Sequence, residues 1–146
     1  MRDKLSVLKE YFGHDSFREG QDRITDSLLG GRDVLGIMPT GAGKSICYQV
    51  PALMFDGITI VVSPLISLMK DQVSALVQSG VAAAYINSSL THAQYLKVLQ
   101  NTESGKYKII YVAPERLCAP AFLGICRNLS ISMVAVDEAH CVSQWG

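Results

Sequence analysis

Five short, apolar, β-rich runs fall at residues 34–38, 58–62, 82–86, 109–112 and 133–136, and stretches with helical patterning separate most of them. Uninterrupted runs of this length suit strands buried on both faces, as in a parallel sheet. Parallel neighbours cannot be joined by a tight turn, so each needs a crossover. The segments from Lys44, over 66–78 and over 91–101 supply helices for it, with Thr91 placed to cap the last. The expected fold is α/β: a mainly parallel sheet with helices on both faces. Leu5, Leu8 and Phe12, then Ile24, Leu28 and Leu29, recur at helical spacing, with Gly13 and Gly30-Gly31 behind them, so two short helices should open the chain. Pro51 falls inside the helix expected from Lys44. There a missing N–H and a ring clash cost about 3 kcal/mol in a straight helix, which predicts a kink or an early stop.

The chain has 146 residues, 49% of them hydrophobic, with a mean hydropathy of +0.22, enough for one globular domain with a buried core. Thirteen basic residues balance thirteen acidic ones, which gives no support to a general basic coat; any contact with nucleic acid has to be local. Cys47, Cys118, Cys126 and Cys141 stand far apart without zinc-site spacing, and are expected to be reduced and mostly buried. No apolar run approaches the roughly 20 residues of a membrane span, and no leader pattern follows Met1, so a cytoplasmic protein is expected.

Met38-Pro39-Thr40-Gly41-Ala42-Gly43-Lys44-Ser45 follows a β-rich run and precedes a helix, the setting in which a phosphate-binding loop works. Gly41 and Gly43 permit backbone conformations and close approaches that a Cβ would block, so N–H groups of Thr40 to Ser45 can converge on phosphate oxygens at the positive end of a helix. Lys44 then reaches the β- and γ-phosphates of ATP, and the Ser45 hydroxyl ligates Mg²⁺. The full pattern asks for glycine where Met38 stands. A dinucleotide fingerprint is excluded, because it needs glycine at Ile46. A Gly-rich turn followed by a chance Lys-Ser is the plain alternative.

The run 133–136 leads directly into Asp137-Glu138-Ala139-His140, placing two carboxylates at the C-terminal end of a strand, the edge at which open α/β sheets bind ligands. Asp137 is suited to hold Mg²⁺, directly or through water, and Glu138 to orient and deprotonate an attacking water. Two carboxylates opening an exposed helix are the alternative reading of this segment alone.

Together with Phe17-Arg18-Glu19-Gly20-Gln21, Ser63-Pro64-Leu65-Ile66-Ser67-Leu68-Met69-Lys70-Asp71-Gln72, Ala113-Pro114-Glu115-Arg116-Leu117 and the ending Asp137 to Gly146, these segments resemble the RecQ group of superfamily 2 DNA helicases over residues 5–146. The resemblance implies a RecA-like lobe that uses ATP to move 3′ to 5′ along single-stranded or partly duplex DNA in recombination and repair. It explains Met38, which stands in the family's own form of the cradle. It maps an adenine-reading segment onto Phe17, Arg18 and Gln21, whose amide carries both a donor and an acceptor, and a base-stacking position onto His14. It places backbone contacts to DNA at Ser63 and Lys70. Arg116 lies either near phosphate or in an internal ion pair, and Trp145 either stacks on a base or packs on the lobe. His140 and Gln144 belong to the stretch that links DNA binding to hydrolysis.

The same resemblance divides the chain into a helical segment with the adenine motif, 1–31, and a P-loop core, 32–146. It also implies a second RecA-like lobe with an arginine finger. The chain is therefore expected to be a truncated lobe that binds nucleotide without unwinding DNA. Two other readings are carried: a non-catalytic nucleotide- or DNA-binding module or regulatory fragment, and an RNA helicase lobe, since Asp-Glu-Ala-His occurs in such enzymes too.

Overall fold

The computed structural model describes residues 3–34 and 44–137, and within the chain two compact units, Met1–Asp56 and Gly57–Gly146.

In the first unit, Asp3 opens helix α1 (Lys4–Val7) by accepting the Ser6 N–H at 2.8 Å. The chain continues as a π-helical turn, Leu8–Phe12, ended by Gly13 at φ 72°, a left-handed conformation that glycine adopts without a Cβ penalty. Helix α2 (Gln21–Leu29) and helix α3 (Ile46–Met54) follow. Val7, Leu8, Ile46 and Val50 are buried in one cluster, with Tyr11, Phe12, Phe17, Leu53 and Met54 packed against it. The first helical segment, residues 4–12, is thus held by an apolar stripe shared with α3. Pro51 sits inside α3, yet the helix runs to Met54 and stops at Phe55, whose extended backbone (φ −74°, ψ 152°) ends it. Seven of its nine residues are buried, Pro51 among them, and that burial offsets the proline's local cost.

The second unit is a four-stranded parallel sheet, β1 (Ile58–Val62), β2 (Ala83–Ile86), β3 (Ile109–Val112) and β4 (Ile131–Val136), in the order β2-β3-β1-β4. Helix α4 (Ile66–Gln78) carries the chain from β1 to β2 in one direction across the sheet. Helix α5 (His92–Glu103), and then α6 (Pro114–Leu117) with α7 (Pro120–Cys126), carry it back. Right-handed crossovers running in opposite directions put their helices on opposite faces. One face accordingly buries Ile58, Ile60, Val62, Ile86, Ile110 and Val112 against Leu99 of α5 and Phe122 of α7. Val61, Ile109 and Tyr111, which alternate onto the other face, are equally buried. Thr91 caps α5 in a capping box with Gln94.

Strand β4 departs from the expectation of a buried strand. It is an edge strand among the described residues, starts at Ile131 rather than Met133, and leaves Ile131, Val134 and Val136 exposed. Ile58 pairs with Ile131 but Thr59 with Met133, so Ser132 is the extra residue of a β-bulge. Of the strand expected over 34–38, residues 35–38 lie outside the described residues. Cys47 is buried and Cys126 half-buried, but Cys118 is exposed, against expectation; Cys141 lies outside the described residues.

Candidate nucleotide-binding site

Lys44 and Ser45 immediately precede α3, and their carbonyls accept its first hydrogen bonds, Cys47 N–H to Lys44 at 3.1 Å and Gln49 N–H to Ser45 at 2.9 Å. Both side chains are half-buried at the helix's positive end, a setting that fits an anionic ligand. Thr40, Gly41, Ala42 and Gly43 lie outside the described residues.

The segment mapped to adenine lies in the same unit. Phe17 packs against the cluster that holds Ile46, the first residue of α3, so one apolar patch joins this segment to the helix that starts at the cradle. Gln21 is the first residue of α2 and is 3% exposed; its Oε1 accepts the Arg18 N–H at 2.7 Å. That bond closes the turn from Arg18 to Gln21 around Gly20, whose φ of 87° excludes most side chains. Arg18 and His14 are exposed.

In the second unit, the C-terminal ends of four parallel strands bring polar residues to one edge of the sheet. Asp137 follows β4, is half-buried, and donates its N–H to the Val62 carbonyl at 2.8 Å, which fixes it beside the end of β1. Ser63, just beyond β1, is buried, and its hydroxyl accepts the Leu65 N–H at 3.2 Å, a short local turn. Lys70 is exposed on α4. Arg116 forms neither of the ion pairs found among the described residues; its guanidinium lies 5.1 Å above the ring of Tyr95, a cation–π contact. Glu138, His140, Gln144 and Trp145 lie outside the described residues.

Three residues that contact or neighbour these positions carry little or no signal in the sequence. Asn87 directly follows β2 with 1% exposure, accepts the Ser89 N–H at 2.9 Å, and donates to the Met69 sulfur at 3.4 Å. An amide directly after an apolar run was the available signal. Tyr95, beneath Arg116, and Lys4, which contacts α2, carried no sequence signal, because each partner is distant along the chain.

The hydroxyl of Ser45 and the carboxylate of Asp137 are hard oxygen donors of the kind Mg²⁺ takes, and Lys44 is a point charge suited to phosphate. A sheet with polar strand ends, and a helix opened by Lys-Ser, define the class of P-loop, RecA-like α/β domains. The chain belongs to the DEAD/DEAH box helicase family, whose model matches residues 18–146. It is 52% identical over 142 residues to the ATP-dependent DNA helicase RecQ of Bacillus subtilis and 51% identical over 142 residues to that of Pasteurella multocida; each match covers 97% of this chain. The resemblance to the RecQ group is therefore borne out. The chain spans about a quarter of the length of these relatives, 24% and 22%.

Solved structures share the fold, among them the following two. A hypothetical ATP-dependent RNA helicase from Sulfolobus tokodaii superposes with a TM-score of 0.78 at 22% identity, over 99% of this chain and 43% of that one. The DUF1998 helicase MrfA bound to DNA and AMPPNP gives 0.76 at 19% identity, over 96% of this chain and 22% of that one.

Proposed function

We propose that this chain is the ATP-binding lobe of a RecQ-type, ATP-dependent DNA helicase that moves 3′ to 5′ and serves recombination and repair, in the cytoplasm or nucleoid where chromosomal DNA lies. The observation that carries the reading is the 52% identity to RecQ over 97% of the chain. In this reading residues 1–146 are one lobe, with the adenine motif in 1–31 and the P-loop core in 32–146.

Lys44 and the N-terminal end of α3 hold the triphosphate, Ser45 and Asp137 hold Mg²⁺, and Glu138 takes the proton of the attacking water. The bound metal would neutralise charge that develops on the phosphate oxygens. Gln21, with Phe17 and Arg18, reads the adenine edge, and His14 lies against the base. Ser63, Lys70, Arg116 and Trp145 track the DNA backbone and bases, and His140 and Gln144 couple that contact to hydrolysis. The Ser63 hydroxyl accepts the Leu65 N–H and keeps its own proton to donate to a phosphate oxygen.

Titration of the chain with MgATP tests the proposal. Lys44→Ala removes charge-assisted hydrogen bonds worth about 1.5–3 kcal/mol and should weaken binding roughly 10- to 150-fold. Asp137→Asn should weaken binding in Mg²⁺ but have little effect in EDTA. Wild-type affinity in both variants would remove the nucleotide site. The RNA-helicase reading predicts tighter binding of a single RNA strand than of the matching DNA; the RecQ reading predicts the reverse.

A further inference from the structure

Lys4 contributes one turn of helix to the fold, yet its ammonium group meets three side chains that flank Gln21. It donates to the carboxylates of Asp22 and of Asp26, the latter at 2.6 Å, and lies 5.7 Å from the centroid of the Phe17 ring. Asp22 and Asp26 are one turn apart on α2, so a single cation can face both. Phe17 precedes the Arg18–Gln21 turn and Asp22 follows it, so Lys4 holds both flanks of the turn that orients the Gln21 amide. The other end of the same helical segment is fixed independently, since Val7 and Leu8 are buried with Ile46 and Val50 of α3.

We infer that Lys4 is a positioning residue for base recognition: through Asp22, Asp26 and Phe17 it holds the turn carrying Gln21 against the helix that begins at the phosphate cradle. The inference rests on Gln21 reading adenine, as proposed above. The hydrogen bonds to Asp22 and then Asp26 also raise the Lys4 pKa above its ordinary 10.5, so the charge persists throughout the physiological range. The side chain is 23% exposed and its partners 56% and 59%, which makes the clasp a surface network. Such networks add little to global stability, but this one has local geometry to set.

The test is the ratio of ATP to GTP affinity, measured by calorimetry on the whole chain with Mg²⁺. Lys4→Met should weaken ATP about two- to fivefold and leave GTP, held by its phosphates, nearly unchanged, so that the ratio falls. Lys4→Arg should restore it, and the double variant Asp22→Asn/Asp26→Asn should reproduce the loss should Lys4→Met fold poorly. Equal weakening of both nucleotides, or an unchanged ratio, would overturn the inference. Gln21→Ala separates the two levels. If it abolishes the ratio while Lys4→Met does not, only the role of Lys4 falls; if it too leaves the ratio intact, the adenine reading falls and the inference with it.

Discussion

A thiol is a sensitive reporter of its surroundings, because it reacts as the thiolate and burial disfavours that form. Burial raises the pKa of Cys47, within α3, and of Cys126, at the end of α7, above the ordinary 9.0. Cys118 is exposed. Pro120 explains why the expectation of mostly buried cysteines failed there: the residue before a proline is driven to extended backbone, and Ala119 sits at φ −63°, ψ 132°. Helix α6 therefore stops at Leu117, and Cys118 is left on the turn. Native alkylation with iodoacetamide at pH 8, followed by peptide mass mapping, should label Cys118 first, Cys126 more slowly and Cys47 last. Equal labelling of Cys47 and Cys118 would mean that α3 is not packed. The pH dependence has a definite sign. Below pH 9 the Cys47 thiol is protonated in both states and contributes nothing. Above it the unfolded thiol ionises first, so stability falls as pH rises toward the higher folded value.

At the scale of elements, legibility followed the continuity of the apolar pattern. β1, β3 and α4 have the bounds their residues suggest, because Ile58–Val62 and Ile109–Val112 are unbroken and Met69, Val73 and Leu76 keep one helical face. The start of β4 was illegible, because Ser130 and Ser132 interrupt the run and the bulge that accommodates them depends on Gly57, far away in sequence. The Gly57 N–H donates to the Ser132 hydroxyl at 2.8 Å, and a Cβ at Gly57 would lie 2.4 Å from both the Ser130 carbonyl oxygen and the Ser132 hydroxyl. The bulge matters for the site because strand side chains alternate. Beyond it Met133, Ala135 and Asp137 are half-buried while Val134 and Val136 are exposed, and a one-residue slip would exchange the two sets. Gly57→Ala should therefore destabilise the chain by about 1–3 kcal/mol, as in other overpacked sites, and lower the urea midpoint. A midpoint equal to that of wild type would show that the bulge can relax without cost.

For the molecule as a whole, the proposed chemistry is divided between two units that each have their own apolar cluster. Lys44, Ser45 and Gln21 stand on the first, and Asp137 on the edge of the sheet in the second. The alternating runs made the sheet legible, whereas the arrangement of Phe17, Lys4 and Arg116 depends on contacts between distant residues that no local pattern encodes. Binding and hydrolysis place different demands on such a lobe. Ground-state binding of MgATP draws on a lysine, a helix terminus and oxygen donors, all of which this chain carries. Fast hydrolysis needs further positive charge where the transition state becomes more negative, and an arginine finger contributes about 10³- to 10⁵-fold in related NTPases. The RecQ relatives are about four times as long as this chain, with 24% and 22% of their lengths matched. The expected result is that the chain by itself binds MgATP yet turns it over at only about a thousandth of the rate of a whole helicase or less, with little stimulation by DNA. A steady-state ATPase assay with and without single-stranded DNA decides the point. Strong DNA-stimulated turnover would mean that these residues already contain the charge stabilisation that the family resemblance assigns to a second lobe.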